Sequence, residues 1–362
     1  MTLDASLRIA ALVTVTLLPA EVAAQCLVPQ SELFAAAAPD SIPALTDPAT
    51  VSADSSTLSP DDIVIGVVQN GEARAYPLRI MWWHEIVNDV LGGVAMAITY
   101  CPLTGSSLIY DPMLEGQRVI FGTSGLLFDN NLVMYDRASL SLWSQMMGRG
   151  ICGPYISHEP ALYPVVETTW AAWKRMHPDT TVVSFNTGYR RDYTRYPYGD
   201  YDSVNSTRLL YPHSFIDSRL APKALVHGIV HGDTARAYRL DDPTASQSRL
   251  AFNDKIKSRP LLVVVDRDRR LAVSFDRKVR FLNKRGKWKK KKFTFDVVES
   301  GKFPFLLKDR QTGSTWNLQG VPVDGQLVDK VEGGGLPRVA DAYSSFWFAW
   351  ASFHRGSGIY GQ

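Results

Sequence analysis

The segment Val68-Gln69-Asn70-Gly71-Glu72-Ala73-Arg74-Ala75-Tyr76 returns later in the chain as Val230-His231-Gly232-Asp233-Thr234-Ala235-Arg236-Ala237-Tyr238. At a nearly constant spacing Asn88-Asp89 returns as Asn253-Asp254. Asp136-Arg137 and Trp143 return as Asp309-Arg310 and Trp316, and Trp170, Trp173 and His177 as Trp347, Trp350 and His354. A chain that repeats itself in this way reads as two copies of one structural plan. Residues kept in both copies are those the fold needs. Chemistry-bearing residues present in one copy only are candidates for function.

With 362 residues, 45% hydrophobic and 21% charged, the chain reads as a globular protein of two ordinary domains. Residues 1–24 read as a signal peptide: Arg8 precedes an apolar stretch from Ile9 to Ala20, and Val22-Ala23-Ala24 offers small residues before a cut at Gln25. No other apolar run is long enough to span a membrane, so the mature protein is expected without a transmembrane span, in the periplasm or secreted. In that oxidising setting the three cysteines allow one internal disulfide and leave one thiol. Cys26 lies in an extended lead-in and Cys152 in a loop rich in glycine and proline, so these two are expected to pair and Cys101 to stay free.

The lead-in covers residues 25–60, the first repeat domain 61–185, a tyrosine-rich connector 186–222, and the second repeat domain 223–362. The expected fold class is α+β: two related, mostly antiparallel β domains from an internal duplication, each with an early helix and a closing helix. In the first copy, Asn70-Gly71 marks a hairpin. An apolar stripe of Ile80, Trp83, Val87 and Leu91 predicts a helix over 79–91, with His84 beside the stripe and Asn88 one turn on. Val94 to Tyr100 reads as a strand. The connector holds Tyr189, Tyr193, Tyr196, Tyr198, Tyr201 and Tyr211, a composition that packs rather than flexes.

The candidate site follows from that layout. Ala95, Ala97, Thr99 and Cys101 share one face of the strand, and their small side chains let the preceding helix approach closely. His84 and Cys101 are thereby permitted to meet, with Asn88 holding the imidazole; a neighbouring imidazole would lower the thiol pKa and act as base. Aligned through the two Asn-Asp pairs, the second copy places Arg249 opposite His84 and Asp266 opposite Cys101. It keeps the strand and discards the chemistry. Thr104, Ser106, Ser124, Ser144 and Gln145 are the candidate substrate-binding residues. Met134, Met146 and Met147 occur in the first copy only, and with Cys101 and His84 they form a candidate copper ligand set.

His84-Glu85-Ile86-Val87-Asn88-Asp89, Tyr100-Cys101-Pro102-Leu103-Thr104-Gly105-Ser106 and Leu132-Val133-Met134-Tyr135-Asp136-Arg137 through Leu142-Trp143-Ser144-Gln145 resemble DUF3179, a bacterial family of unknown function. The resemblance implies a family membership without an activity.

The second copy is longer than the first between Asp276 and Asp309, and the extra length holds Arg277 to Lys292, with ten Lys or Arg and no acid. On a chain of net charge +3 this hairpin concentrates positive field and is a candidate contact for an anionic surface. Nucleic acid is not expected, since no recognition motif accompanies the charge. Three functions remain open from the sequence. The first is an exported thiol site of Cys101 with His84, of acyl- or thiol-transfer class, acting on a small molecule or an envelope partner. The second is an envelope copper-binding protein. The third is a non-catalytic binding module.

Overall fold

Asn70 and Gly71 both adopt left-handed backbone angles (φ 49° and 85°), which is what a two-residue turn between right-twisting strands requires. They join strand Ile63–Gln69 to strand Glu72–Pro77 in the expected hairpin. The computed structural model describes residues 26–203, 205–242, 246–298, 303–304 and 306–362; the leader expected over 1–24 lies outside them. Strand is the main element of the described residues, in largely antiparallel sheets, with three α-helices: α1 (Leu78–His84), α2 (Trp170–Met176) and α3 (Trp347–Phe353); the early helix expected in the second copy is not among them. No helix among them is long and apolar enough to cross a membrane.

The first half builds its sheet outward from the hairpin. Val166–Thr169 pairs antiparallel with Ile63–Gln69, and Thr181–Val183 pairs parallel with Glu72–Pro77. In the second half Ala342–Phe346 pairs antiparallel with Leu225–His231, and Gly358–Ile359 pairs parallel with Thr234–Arg239. Side-chain contacts recur in the same places. Arg74 and Tyr76 both bond Asp89, as Arg236 and Tyr238 bond Asp254. Trp143 Nε1 donates to Asp136 at 3.0 Å and Trp316 Nε1 to Asp309 at 3.0 Å. Gly66 and Gly228 leave the room that Trp173 and Trp350 fill; a Cβ at either glycine would lie 2.1–2.2 Å from the indole. The residues common to both halves are thus engaged in holding the fold.

The helix expected over 79–91 is corrected. Helix α1 ends at His84, Glu85 turns the chain with φ 57°, and Ile86–Leu91 is a strand paired with Val94–Cys101. β-Branched Ile86, Val87 and Val90 favour the pleat, and Gly92-Gly93, both at positive φ, close a hairpin rather than cap a helix.

The two larger hydrophobic clusters cross the division at the connector. One cluster joins Ile86, Ile98 and Ile109 of the first half to Val226, Trp347 and Trp350 of the second. The other joins Val64, Trp170 and Trp173 to Leu262, Val264 and Phe275. The connector packs into the first of these clusters, with Tyr193 and Tyr201 buried and Tyr189 exposed. The basic insertion is a two-stranded hairpin, Lys278–Leu282 with Trp288–Lys292, whose second strand is exposed throughout. Arg277 does not join that surface: its guanidinium is buried and donates to the carbonyls of Asp254, Leu261 and Phe293.

Candidate functional site

Cys26 is bonded to Cys152, and Cys101 is a free, buried thiol, as the cysteine pattern led one to expect. Cys101 ends the strand Val94–Cys101, and the chain then makes a tight turn through Gly105 (φ 58°). A Cβ at Gly105 would lie 3.0 Å from the Phe346 ring, and Phe346 N donates to Thr104 O at 2.7 Å. The thiol loop is thereby pressed onto the second half of the chain. The thiol itself lies 3.7 Å from its acceptor, the carbonyl of Asn130.

His84 is not the partner of this thiol. Its Nδ1 lies 2.7 Å from Pro43 O and its Nε2 2.7 Å from Tyr193 OH. Pro43 O can only accept, so Nδ1 carries the proton and Nε2 accepts from the tyrosine. Both ring nitrogens are used, and burial holds the imidazole pKa below its ordinary value. His84 ties the connector to the lead-in. Asn88, expected to orient it, instead spans the backbone of Phe121 in both directions and donates to Leu45 O. Asn253 makes the same two bonds to Phe295, which marks both asparagines as scaffold.

The five candidate substrate contacts are also committed elsewhere. Gln145, Ser106 and Thr104 form a closed network with Asn131 and Thr99, every member of it buried. Ser124 bonds Val133 O and Leu126 N inside a bulge of its strand, and Ser144 accepts from Met147 N in a turn. Met134 and Met146 are core side chains in the cluster that also contains Cys101. Among the described residues no group of three or more His, Cys, Asp or Glu is placed to hold a metal ion.

The groups that do surround the thiol are ones the sequence did not single out. Because α1 stops at His84, Glu85 sits at a left-handed bend opposite the end of the Cys101 strand, where Tyr100 N donates to its carbonyl at 2.8 Å. Its side chain is buried on a small cavity of about 90 Å³ lined also by Leu103, Leu132, Tyr198 and Tyr211. Burial pushes its carboxyl up to about 8. Burial, and then the nearby Glu85 charge, push the Cys101 thiol up to about 11; hydrogen bonds from Thr104 act the other way.

Lys223 completes the set. It is 1% exposed, its Nζ has no hydrogen-bond partner, and that atom lies 3.0 Å from the centroid of the Tyr201 ring, with Phe346 and Phe348 at 4.9 and 5.0 Å. Burial brings the amine down to about 7, against the opposing pull of Asp202 and Cys101. Tyr201 OH in turn donates to Leu103 O at 2.9 Å, and Tyr196 OH to Pro102 O at 3.4 Å. The connector therefore straps the 101–104 loop and carries the aromatic seat of Lys223. At neutral pH the set consists of a protonated thiol, a largely protonated carboxyl and an amine divided between its two forms. Of the three, only the amine is unprotonated to a large extent at that pH and so free to take a proton.

Among the described residues the second half carries no such set of its own. Asp266 occupies the position matching Cys101 at the end of its strand, fully buried, and is paired by Arg269 at 3.0 Å and Arg249 at 3.7 Å.

Comparison with curated proteins and with solved structures gave no match. The chain does match, over residues 39–357, the family described as protein of unknown function DUF3179, and it belongs to that family.

Proposed function

We propose that this is an exported protein whose chemistry is centred on the Cys101 thiol, with Lys223 as the proton acceptor and Glu85 as the neighbouring acid, and that the reaction is an acyl or thiol transfer. The observation that carries the reading is Lys223: a lysine 1% exposed, without a hydrogen-bond partner, seated on the Tyr201 ring whose hydroxyl straps the loop after Cys101. Burying an ammonium with no carboxylate bonded to it costs several kcal/mol, and such groups concentrate where chemistry needs a shifted pKa. In an acyl transfer the neutral amine takes the S–H proton as Sγ bonds the acyl carbon. The leaving group departs with its bonding electron pair and receives the proton from the Lys223 ammonium.

The two halves descend, on this reading, from one duplicated unit. The recurring Trp–Asp, Arg–Asp–Tyr and Asn–backbone contacts support it, and the Asp266 ion pairs stand where the first unit keeps its thiol. The Cys26–Cys152 disulfide supports export to an oxidising compartment, in line with the leader read from residues 1–24.

The test is trapping. The full chain is incubated with p-nitrophenyl acetate and the adduct is located by peptide mass mapping. The reading expects an acetyl group on Cys101, lost in Cys101→Ser and formed much more slowly in Lys223→Met. Acetylation of surface lysines alone, with Cys101 unmodified, overturns it.

A further inference from the structure

Lys223 lines a second and larger space. A cavity of about 420 Å³ opens between the connector and the second half, and Lys223, Arg239, Arg270, Asp202, Asp241 and Phe346 are among the residues that form it. Its volume is that of a site for a small metabolite.

Its polar groups are unevenly satisfied. Arg270 reaches Glu167 at 3.3 Å, but that carboxylate also accepts from Ser107, and the Arg270 Nε has no partner. Arg239 is 3.4 Å from Asp242, and its Nε is likewise without a partner. Of the two cavity acids, Asp241 spends one oxygen on Leu225 N at 2.7 Å and leaves Oδ1 unpartnered. Lys223 has aromatic rings around its nitrogen and no hydrogen bond at all. Arg270 and Arg239 each reach a carboxylate, and Lys223, the most deeply buried of the three cations, is the one left without a hydrogen-bonded oxygen.

We infer that the substrate of the Cys101 site carries an oxyanion, a carboxylate or a phosphate, which Lys223 and Arg270 seat in this cavity, while Asp241 Oδ1 accepts from a hydroxyl or amine on the same molecule. The inference rests on the proposed thiol reading for the word substrate, and on the cavity for the site itself. An oxygen anion would convert an unpaired buried ammonium into a charge-assisted pair, the change from the costly to the favourable case of a buried charge. Arg270 adds the planar fork suited to a carboxylate or phosphate. Lys223 Nζ sits on the ring of Tyr201, whose hydroxyl donates to Leu103 O in the loop that follows Cys101, so a ligand anchored on it lies at the thiol loop. The neutral amine takes the thiol proton first, and the ammonium so formed is the species that holds the anion.

Binding of inorganic phosphate and of succinate to the full chain is measured by titration calorimetry at pH 6.5, against sodium chloride of equal ionic strength. At least one probe is expected to bind where chloride does not. Lys223→Met and Arg270→Gln should each weaken it tenfold or more, Lys223→Arg should hold it within a few-fold, and Cys101→Ser should leave it unchanged. Tighter binding of phosphate assigns a phosphoryl substrate, and tighter binding of succinate a carboxylate. The inference is overturned if neither probe binds, or if binding survives both Lys223→Met and Arg270→Gln in folded protein. The two readings fail separately: anion binding with no acetyl on Cys101 sinks the thiol chemistry alone, and acetylation without anion binding sinks the cavity assignment alone.

Discussion

The Lys223 Nζ lies 3.0 Å from the centre of the Tyr201 ring, and the hydroxyl of that same ring donates to Leu103 O, two residues beyond the thiol of Cys101. A desolvated cation–π contact is worth about 2 kcal/mol, less than the several kcal/mol lost on burying an ammonium. The contact tempers the cost of Lys223 without removing it. A residue placed at a net loss to stability is better explained by what it does than by what it holds together.

Replacing it should therefore stabilise the protein. The amine loses its proton near pH 7 in the folded chain and near 10.5 in the unfolded one, so the unfolded state binds more protons across that window and stability from this group rises as pH climbs through it. Lys223→Met should raise the unfolding free energy by about 1–4 kcal/mol at pH 6, and the gain should shrink to nothing by about pH 10.5. Urea unfolding at several pH values measures it. A variant that is less stable than the parent at pH 6 contradicts the unpaired burial of this lysine.

Glu85 acts in the opposite direction. Its carboxyl keeps its proton up to about pH 8 when folded but releases it near 4.5 when unfolded, so stability from this group falls as pH rises between those values. Glu85→Gln should match the parent at pH 4.5 and become progressively more stable toward pH 8. Parallel melting curves of the two proteins across that range decide the matter, and a difference that stays flat with pH would mean that the carboxyl is not buried.

How far the sequence could lead is visible in these two residues. The Asn70-Gly71 hairpin and the pairing of Cys26 with Cys152 were legible, because they rest on local turn chemistry and on a count of three cysteines. Glu85 follows His84 directly, so on a helix it could not share the face of that residue. The helix ends one residue earlier, and a non-glycine residue at φ 57° carries no sequence signature. Lys223 stands alone between Pro222 and Ala224, and its burial is made by Tyr201, Phe346 and Phe348, which are distant in sequence. His84 and Asn88 were expected to serve the thiol, but their partners, Pro43, Tyr193 and Phe121, come from other strands and loops that no local pattern in the sequence reveals.

The disulfide should matter to stability rather than to chemistry. It closes a loop of 126 residues and holds the lead-in against the strand Arg149–Cys152. Replacing both Cys26 and Cys152 by Ala should cost up to about 5 kcal/mol by the chain-entropy estimate. Denaturant unfolding gives the loss, and acetylation at Cys101 under folding conditions should persist. Non-reducing peptide maps should show Cys26 joined to Cys152; a Cys101–Cys152 peptide would end the thiol reading.

The last expectation concerns the thiol itself, and it separates Glu85 from His84 as its neighbour. With Cys101 held up to about 11 by burial first and the Glu85 charge second, less than half of it should be ionised at pH 10, where an ordinary thiol of pKa about 8.5 is almost wholly thiolate. The ultraviolet thiolate band of the parent minus that of Cys101→Ser, followed with pH, reports this directly because the remaining tyrosines cancel. Glu85→Gln removes a negative neighbour above pH 8 and should move the rise to lower pH. His84→Ala should leave the rise where it is, since both imidazole nitrogens are spent on Pro43 and Tyr193. A curve that shifts with His84→Ala and not with Glu85→Gln would return the imidazole to the thiol and displace the carboxyl.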